Sequence, residues 1–177
     1  KAPPLLTHFH KKMKLIEACN IDRVICADFT RQFADQRPRD FSKNILSEKI
    51  GVKEMVVGFD YAFGRGREGT IPYLKKMGEE FGFIVHVVEP FQLDGLTVSS
   101  SHVREAIESG NMETARKFLG RYYSIVGPVV AGYKTGQAIG FPTANIDTSK
   151  VQIPGTGVYA VRMIYQNESY DAVANIG

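Results

Sequence analysis

The sequence lacks the features that mark membrane-spanning, secreted and nucleic-acid-binding proteins. No run approaches the ~18 apolar residues of a membrane span, and no basic-then-apolar signal segment opens the chain. Cys19 and Cys26 have neither disulfide nor metal-ligand spacing, which predicts two buried, reduced thiols in a cytoplasmic protein. The net charge is only +3, without a dominant lysine or arginine block. We therefore expect small-molecule partners, and neither nucleic acid nor membrane.

Several familiar catalytic patterns are also missing. The chain has no Gly-x-x-x-x-Gly-Lys-Ser/Thr, which argues against a P-loop nucleoside triphosphatase. It offers no arguable Ser/His/Asp triad and no zinc-binding pattern. What the chain does have is size: 177 residues with 44% hydrophobic content are enough for one core and a second, smaller one.

Up to about residue 120, short apolar runs alternate with helical patterns. The predicted strands are Arg23–Ala27, Glu54–Gly58 and Ile84–Val88. Five helices are predicted. The first follows an N-cap at Thr7, and the last follows an N-cap at Asn111 and ends at Gly120. The other three run from Pro38 to Gly51, from Pro72 to Phe81 and from Ser101 to Glu108. This alternation predicts a parallel α/β sheet, which binds ligands at the carboxyl ends of its strands.

After Gly120 the helical pattern ends and β-rich segments take over. These segments are Tyr122–Val126, Gly157–Tyr165 and Tyr170–Ala174, separated by glycine, proline and Asn/Asp turns. They predict an antiparallel barrel or sandwich, and hence two domains, 1–120 and 121–177. Because a barrel needs more strands to close, we expect the second domain to be incomplete.

The strongest candidate site in the first domain is the stretch Ser99–Arg104. Ser100 and Ser101 lie at a predicted helix N-terminus, where free N–H groups and the helix dipole favour an anion. Arg104 follows one turn later and can fork onto phosphate oxygens. The alternative is ordinary serine capping with a surface arginine.

A second candidate is the loop that follows the predicted strand Glu54–Gly58. Asp60 is a carboxylate at a strand end, and Arg65 and Arg67 follow within a glycine- and aromatic-rich loop. Such a loop suits an aromatic ligand. The alternative is a loop that covers the core, with Phe59 and Phe63 buried.

The third candidate, in the second domain, is the stretch from Lys134 to Asn145. Gly136 and Gly140 allow close backbone approach, and the oxygens of Thr143 and Asn145 suit a hydrated Mg²⁺ with nucleotide phosphates. The alternative is a Gly/Pro turn followed by an Asn cap.

Three motifs resemble those of one family. Gly140–Asn145, with Gly127–Val130 upstream and Gly157–Ala160 downstream, resembles the flavokinase signature. Ser99–Arg104 resembles the Ser-Ser-Thr-x-Ile/Val-Arg signature of nucleotidyltransferases, with Ser101 in the Thr place. Gly58–Gly64 is similar to the Gly-x-Asp/Asn-Phe-x-Phe-Gly motif of FAD synthetases, with Tyr61 in the first Phe place. In this order along the whole chain, they resemble the bacterial bifunctional riboflavin kinase/FAD synthetase family.

The resemblance implies a Rossmann-like nucleotidyltransferase sheet followed by a flavokinase-like β-barrel, two activities, and ATP and Mg²⁺. Riboflavin would be phosphorylated to FMN, and FMN adenylylated to FAD. Ser100, Ser101 and Arg104 would hold ATP phosphates; Asp60, Arg65 and Arg67 would contact flavin or nucleotide; Lys134, Gly136, Gly140, Thr143 and Asn145 would form the kinase ATP/Mg site, with Thr143 and Asn145 on the metal.

The family's catalytic groups are not assigned in this sequence. Its His-x-Gly-His motif and its acidic base have no matching residues here, so we expect both to lie outside the chain, before Lys1 and beyond Gly177. Two alternatives therefore stay open. One is a single-activity adenylyltransferase acting on another mononucleotide, and the other is a non-catalytic flavin- or nucleotide-binding protein.

Overall fold

A computed structural model of the chain describes residues 3–132, 140 and 143–177. The chain forms two compact units, Arg23–Thr97 and Lys1–Asp22 together with Val98–Gly177. Each unit has a hydrophobic core of its own. The predicted domain boundary near Arg121 stays a prediction, because the second unit combines residues from both sides of it.

The unit Arg23–Thr97 is a mixture of helices and short strands. In chain order its elements are α2 (Arg31–Ala34), α3 (Pro38–Asp40, continued as a π-helix over Phe41–Ile50), β1 (Glu54–Gly58), a 3-10 turn (Arg65–Arg67), α4 (Ile71–Phe81), β2 (Ile84–Val88), β3 (Gln92–Leu93) and β4 (Leu96–Thr97).

A β1–α4–β2 arrangement forms the centre of this unit. β1 and β2 pair in parallel from Glu54–Ile84 to Gly58–Val88. Helix α4 ends at Gly82, whose φ of 79° lies in the left-handed region that glycine adopts without strain. The core combines residues of α3, β1, α4 and their connections, namely Leu46, Val57, Phe63, Leu74, Met77 and Phe83. The predicted strands Glu54–Gly58 and Ile84–Val88 and the helix starting at Pro38 are confirmed.

The second unit contains the remaining elements. They are α1 (Phe9–Glu17), α5 (Ser100–Glu108), α6 (Met112–Leu119), β5 (Val129–Val130), β6 (Asn145–Ile146), β7 (Gly157–Tyr165) and β8 (Glu168–Ile176).

Helices α5 and α6 supply the core of this unit. Val103, Ala106, Ile107 and Ala115 are buried there. The Asn111 side chain caps α6 by accepting a hydrogen bond from the Thr114 N–H, as predicted.

Strands β7 and β8 form an antiparallel hairpin in the same unit. Its two-residue turn is Gln166–Asn167, with φ of 49° and 67°. Positive φ at both turn residues matches the right-handed twist of the strands.

Two predicted strands are wrong. Residues 23–30 have no regular structure, and Ile25 is 71% exposed. Residues 122–126 are also irregular. Apolar β-branched sequence favours a strand only where another strand supplies backbone partners, and neither segment pairs with a described strand.

Two local predictions are also wrong. Cys19 and Cys26 are free but exposed, because one follows the end of α1 and the other lies in the irregular segment 23–30. The N-cap of α1 is His8 rather than Thr7. The Thr7 hydroxyl instead accepts a hydrogen bond from Arg121.

The fold is therefore of the mixed α/β class. Its described strands form two-stranded sheets, one parallel and three antiparallel, and no closed barrel is present among them. None of the described helices combines the length and the apolar composition needed to cross a lipid bilayer.

Candidate functional site

The N-terminus of α5 carries the first predicted site. Ser99 caps the helix: its hydroxyl accepts a hydrogen bond from the His102 N–H at 3.2 Å, and its carbonyl accepts one from the Val103 N–H at 3.0 Å. Within the described chain, the N–H groups of Ser100 and Ser101 have no acceptor. Both serines are exposed. Two free N–H groups and two hydroxyls therefore lie at the positive end of a nine-residue helix, which is an arrangement that binds anions.

Arg104 lies one turn into α5, as the sequence predicted. Its Nη1 donates to the Ser100 carbonyl at 3.1 Å, and its Nε donates to the Pro4 carbonyl at 3.2 Å. A guanidinium has five N–H donors, so further donors remain. The two backbone contacts restrict the arginine, which lowers the entropy cost of binding a phosphate.

His102, the neighbour of these residues, is half-buried beside the ring of Phe118, with centroids 6.5 Å apart. The α5–α6 packing covers one side of the ring.

Sequence reasoning missed two further cations in this unit. Lys11 donates to the Ser124 hydroxyl. Arg121 donates through Nη2 to the Thr7 hydroxyl at 3.4 Å. Both side chains are half-buried. No local signal could have found them, because each contact joins residues more than 100 positions apart.

Tyr123 is a half-buried tyrosine of the segment that also contains Arg121 and Ser124. Its hydroxyl donates to the Gln152 carbonyl. Burial raises the pKa of Tyr123, while the charges of Arg121 and Arg104 act in the opposite direction. Burial, and then the charge of Arg121, lowers the pKa of Lys11. The electrostatic influence of Arg121 therefore reaches Lys11 and Tyr123, and that of Arg104 reaches Tyr123.

The loop after β1 carries the second predicted site, in the unit Arg23–Thr97. Arg67 Nη2 donates to the backbone carbonyl of Asp60 at 3.3 Å. Arg65 instead lies 3.8 Å from the carboxylate of Glu68. All three predicted residues, Asp60, Arg65 and Arg67, are exposed. The structure thus brings Asp60 and Arg67 together, whereas Arg65 contacts Glu68, the residue that follows the 3-10 turn.

The prediction that Phe59 and Phe63 are both buried is half right. Phe63 is 9% exposed and pairs with Gly69, where an added Cβ would lie 2.6 Å from the Phe63 ring. Phe59 is 48% exposed. Strand β1 ends at Gly58 and the chain turns, so the in–out alternation of the strand does not extend to Phe59.

The third predicted site lies at β6. Lys134 and Gly136 lie outside the described residues. Gly140 is a turn residue with φ of 84°, which favours glycine. Thr143 and Asn145 are both exposed, and neither side chain hydrogen-bonds to another described residue.

Asn145 belongs to β6 and pairs with Val130 of β5. A Cβ added at Gly132 would lie 2.8 Å from the Asn145 Cγ, so the amide approaches the Gly132 backbone closely. Thr143 and Asn145 offer neutral oxygens, which fit a Mg²⁺ that keeps water and phosphate ligands. Nowhere in the described chain do three His, Cys, Asp or Glu side chains gather closely enough to share a metal ion.

A concavity in the unit Arg23–Thr97 lies apart from every predicted residue. Its volume is about 400 Å³, and it lies where α4 ends and β2 begins. It is lined by Lys75, Gly78, Glu79, Gly82, Phe83, Ile84 and Val85.

Comparison with known proteins relates the whole chain to flavin-nucleotide enzymes. The family model for FAD synthetase matches residues 1–102, and that for riboflavin kinase matches residues 119–177. The bifunctional riboflavin kinase/FMN adenylyltransferase of Escherichia coli K12 is 39% identical over 100% of this chain and 57% of its own length. The protein of that description from Haemophilus influenzae is 38% identical over 99% of this chain and 58% of its own length.

One solved structure has the same fold. It is described as the crystal structure of a macrolide-efflux protein from Streptococcus pneumoniae, and it matches with a TM-score of 0.82 and 30% identity. The match covers 97% of this chain and 55% of that one. This chain thus spans little more than half the length of the proteins that it resembles. Because the FAD synthetase model alone covers more than half of its residues, the chain belongs to the FAD synthetase family.

Proposed function

We propose that this chain carries parts of two ATP-dependent sites of one enzyme, which phosphorylates riboflavin to FMN and adenylylates FMN to FAD. The observation that carries the proposal is the succession of the two family matches, residues 1–102 and 119–177, on one chain. Relatives that match this whole chain bear both activities in their names.

The adenylylation site in this proposal includes the N-terminus of α5. In this reaction a phosphate oxygen of FMN attacks the α-phosphorus of ATP, and the bond to the β-phosphate breaks as pyrophosphate leaves. Negative charge develops on that leaving group, so donors aimed at it accelerate the reaction. The free N–H groups and hydroxyls of Ser100 and Ser101, with the remaining donors of Arg104, supply this stabilisation without reorganisation.

The kinase site in this proposal includes Gly140, Thr143 and Asn145, with Lys134 and Gly136. Here the riboflavin 5′-hydroxyl oxygen attacks the γ-phosphorus, and ADP leaves. Thr143 and Asn145 would hold Mg²⁺, which would neutralise charge on the transferring phosphates. Gly132 leaves open the space that the Asn145 amide occupies, and positioning of such groups is a large part of catalysis in phosphoryl transfer.

Asp60, Arg65 and Arg67 belong to the flavin or nucleotide pocket of the adenylylation reaction in this proposal. The Arg67 contact to the Asp60 carbonyl supports it, because it fixes the loop backbone at the end of β1. Parallel sheets bind ligands at this end of their strands.

The proposal also covers the architecture of the two domains and the cellular compartment of the enzyme. We infer that β1 and β2 belong to a Rossmann-like sheet, that β5–β8 belong to a flavokinase-like barrel, and that the domains are 1–120 and 121–177. We infer a cytoplasmic enzyme with small-molecule substrates and without a nucleic acid or membrane partner, on the cysteine and charge patterns. The parallel β1–α4–β2 unit supports the sheet.

The test is product analysis with the full-length protein. In one reaction it receives riboflavin, ATP and Mg²⁺, and in a second FMN replaces riboflavin; the flavins are separated by chromatography. We expect FMN and FAD in the first reaction and FAD in the second.

FMN alone in the first reaction, without FAD in the second, would remove the adenylylation half of the proposal. FAD from FMN alone would leave a single-activity adenylyltransferase. Bound flavin without conversion would indicate a binding protein and contradict both halves.

A further inference from the structure

Residues 150–155, which lie in the riboflavin kinase match, contact the N-terminal segment of the chain. The Leu5 N–H donates to the Lys150 carbonyl at 3.1 Å, and the Gln152 N–H donates to the Leu5 carbonyl at 2.8 Å. Leu5 and Val151 thus form an isolated parallel bridge. Because Leu5 belongs to the FAD synthetase match, this bridge joins the two family matches. We name residues 150–155 the bridging segment.

The other end of the bridging segment contacts the C-terminal end of α5. The Gly155 N–H donates to the Ile107 carbonyl at 3.3 Å. A Cβ added at Gly155 would lie 2.5 Å from the Glu108 carbonyl oxygen, so backbone lies directly against backbone there. The Tyr159 hydroxyl of β7 donates to the Gly155 carbonyl at 2.7 Å and adds a further contact. Because close-packed groups have little room to adjust, a displacement of the bridging segment at Gly155 displaces this end of α5.

One peptide group connects the bridging segment to Arg104. Its carbonyl, that of Pro4, accepts a hydrogen bond from Arg104 Nε at 3.2 Å. The same planar group carries the Leu5 N–H, which donates to the Lys150 carbonyl. Hydrogen bonds in such a chain polarise one another, so the contact with Lys150 makes the Pro4 carbonyl a stronger acceptor for the guanidinium. The placement of Arg104 therefore depends on the backbone of the bridging segment.

We propose that the bridging segment is a positioning element of the adenylylation site, and that it aligns Arg104 of α5 for reaction although it lies in the riboflavin kinase match. The inference rests on the proposed function, because it deepens the adenylylation half of it. The bridging segment itself contacts no substrate in this proposal, and it acts through Arg104.

A positioning role and a merely structural role predict different kinetics. Arg104 acts on the charge of the leaving pyrophosphate in the proposed reaction. Misplacing it should therefore lower kcat for FAD formation by a larger factor than it raises KM for ATP. A merely structural role would lower the amount of folded protein, so that FMN and FAD formation would fall together.

The main test is Gly155→Ala in the full-length protein, with Gly157→Ala as the matched control. The added methyl group at position 155 must displace the Glu108 carbonyl, whereas at position 157 it makes only ordinary contacts, at 3.4 Å or more. We expect kcat for FAD formation from FMN to fall about tenfold in Gly155→Ala, since remote misplacement by about 1 Å can cost up to 10²-fold. FMN formation and both activities of Gly157→Ala should change little. Unchanged FAD formation in Gly155→Ala overturns the proposal, and so does an equal loss of FMN formation.

The double variant Arg104→Ala/Gly155→Ala tests whether the bridging segment acts through Arg104. If it does, Gly155→Ala should lower the rate of FAD formation little further once Arg104 is replaced, because the effects of coupled residues are not additive. A further loss as large as that of Gly155→Ala alone would show that the two effects are independent, and would contradict the proposal.

Tyr159→Phe covers the case in which Gly155→Ala fails to fold. It removes only the hydroxyl that donates to the Gly155 carbonyl. The matched control is Tyr165→Phe, because Tyr165 is 58% exposed on the same strand. We expect FAD formation to fall a few-fold in Tyr159→Phe, with FMN formation unchanged. Equal rates of FAD formation in Tyr159→Phe and Tyr165→Phe contradict the proposal.

Amide hydrogen exchange separates failure of this inference from failure of the proposed function, because it needs no turnover. Exchange of the Leu5 N–H reports its hydrogen bond to Lys150, and it should be several-fold faster in Gly155→Ala than in Gly157→Ala. Faster exchange in a protein that makes no FAD supports the bridging contacts and contradicts adenylyl transfer. Normal FAD formation in Gly155→Ala supports the reaction and contradicts the positioning role.

Discussion

The two predicted phosphate sites of the second unit, at α5 and at β6, are held in place by different means. At α5, Val103 and Ile107 are buried in the core, and backbone carbonyls hold Arg104. At β6, both strand residues are exposed, and the segment is held by its pairing with β5 and by the turn at Asp147. Tertiary packing positions the first site, whereas backbone contacts position the second.

This difference predicts different responses to mutation. A side chain at the N-terminus of α5 can be removed while the helix stays packed, so function should change more than stability. At β6 both strand residues are exposed and bury little apolar surface, so small backbone changes should alter local order. The predictions that follow test this contrast, from the largest expected effect to the smallest.

Arg104→Ala should reduce FAD formation roughly 10²-fold and leave FMN formation unchanged. The reason is the loss of a positioned charge at the leaving phosphates. The measurement is the rate of each product in the full-length protein, with Arg162→Ala as the matched control, because Arg162 is 72% exposed on β7. Equal loss of both products would contradict two separate sites.

Thr143→Ala should reduce FMN formation about tenfold and spare FAD formation from FMN. The expected loss is smaller than for Arg104→Ala, because a neutral hydroxyl stabilises bound phosphate or metal less than a charged guanidinium stabilises phosphate. The rates are measured at varied Mg²⁺, with Thr156→Ala, at an exposed threonine, as the control. A loss of FAD formation from FMN would place Thr143 outside the kinase site.

Gly127→Ala should destabilise the protein by about 1–3 kcal/mol, the range for added atoms in a packed position. A Cβ at Gly127 would collide with the Asp147 carbonyl and lie 2.9 Å from the Ile146 Cγ2. Urea unfolding measures the change, and Gly157→Ala is the control because an added Cβ there makes only ordinary contacts with the Tyr159 ring, at 3.4 Å or more. Equal midpoints for the two variants would mean that the segment at β6 is not held by this contact.

Tyr123→Phe should lower the free energy of unfolding by about 1 kcal/mol, since it removes the hydrogen bond to the Gln152 carbonyl. The matched control is Tyr165→Phe, whose ring is 58% exposed on β7. A change in Tyr165→Phe as large as that in Tyr123→Phe would show that the effect is not specific to the region beside α5.

Asp147→Asn should give the smallest effect, and that effect should depend on pH. The backbone N–H and the hydroxyl of Ser149 hold the pKa of Asp147 below its ordinary value. A depressed carboxyl pKa stabilises the fold above the unfolded pKa, and this stabilisation is lost as the pH falls through the folded pKa. The difference between wild type and variant should therefore shrink below about pH 4. A difference independent of pH would contradict the role of charge.

Local signals in the sequence predicted much of this structure. Pro38, Gly51, Gly82 and Asn111 set helix ends through their own backbone and capping preferences, and each acts where predicted. The serines at the start of α5 also lie at a helix end, as predicted, and Ser99 caps the helix. These features depend on a few neighbouring residues, which is what a sequence pattern records.

The failures depend on distant partners. Strand pairing decides whether an apolar run such as Arg23–Ala27 becomes a strand, and the run itself does not name its partner. Lys11 and Arg121 reach their partners Ser124 and Thr7 only through tertiary packing. Their contacts join positions far apart in the chain, so no local motif could have included them.

The most direct test of two phosphorus-transfer sites is the fate of labelled ATP. The full-length protein would receive riboflavin, Mg²⁺ and ATP that carries radioactive phosphorus at either the α or the γ position, and the flavins would be separated and counted. The account predicts γ-label in both FMN and FAD, and α-label in FAD alone. Absence of α-label from FAD, or of γ-label from FMN, would contradict it.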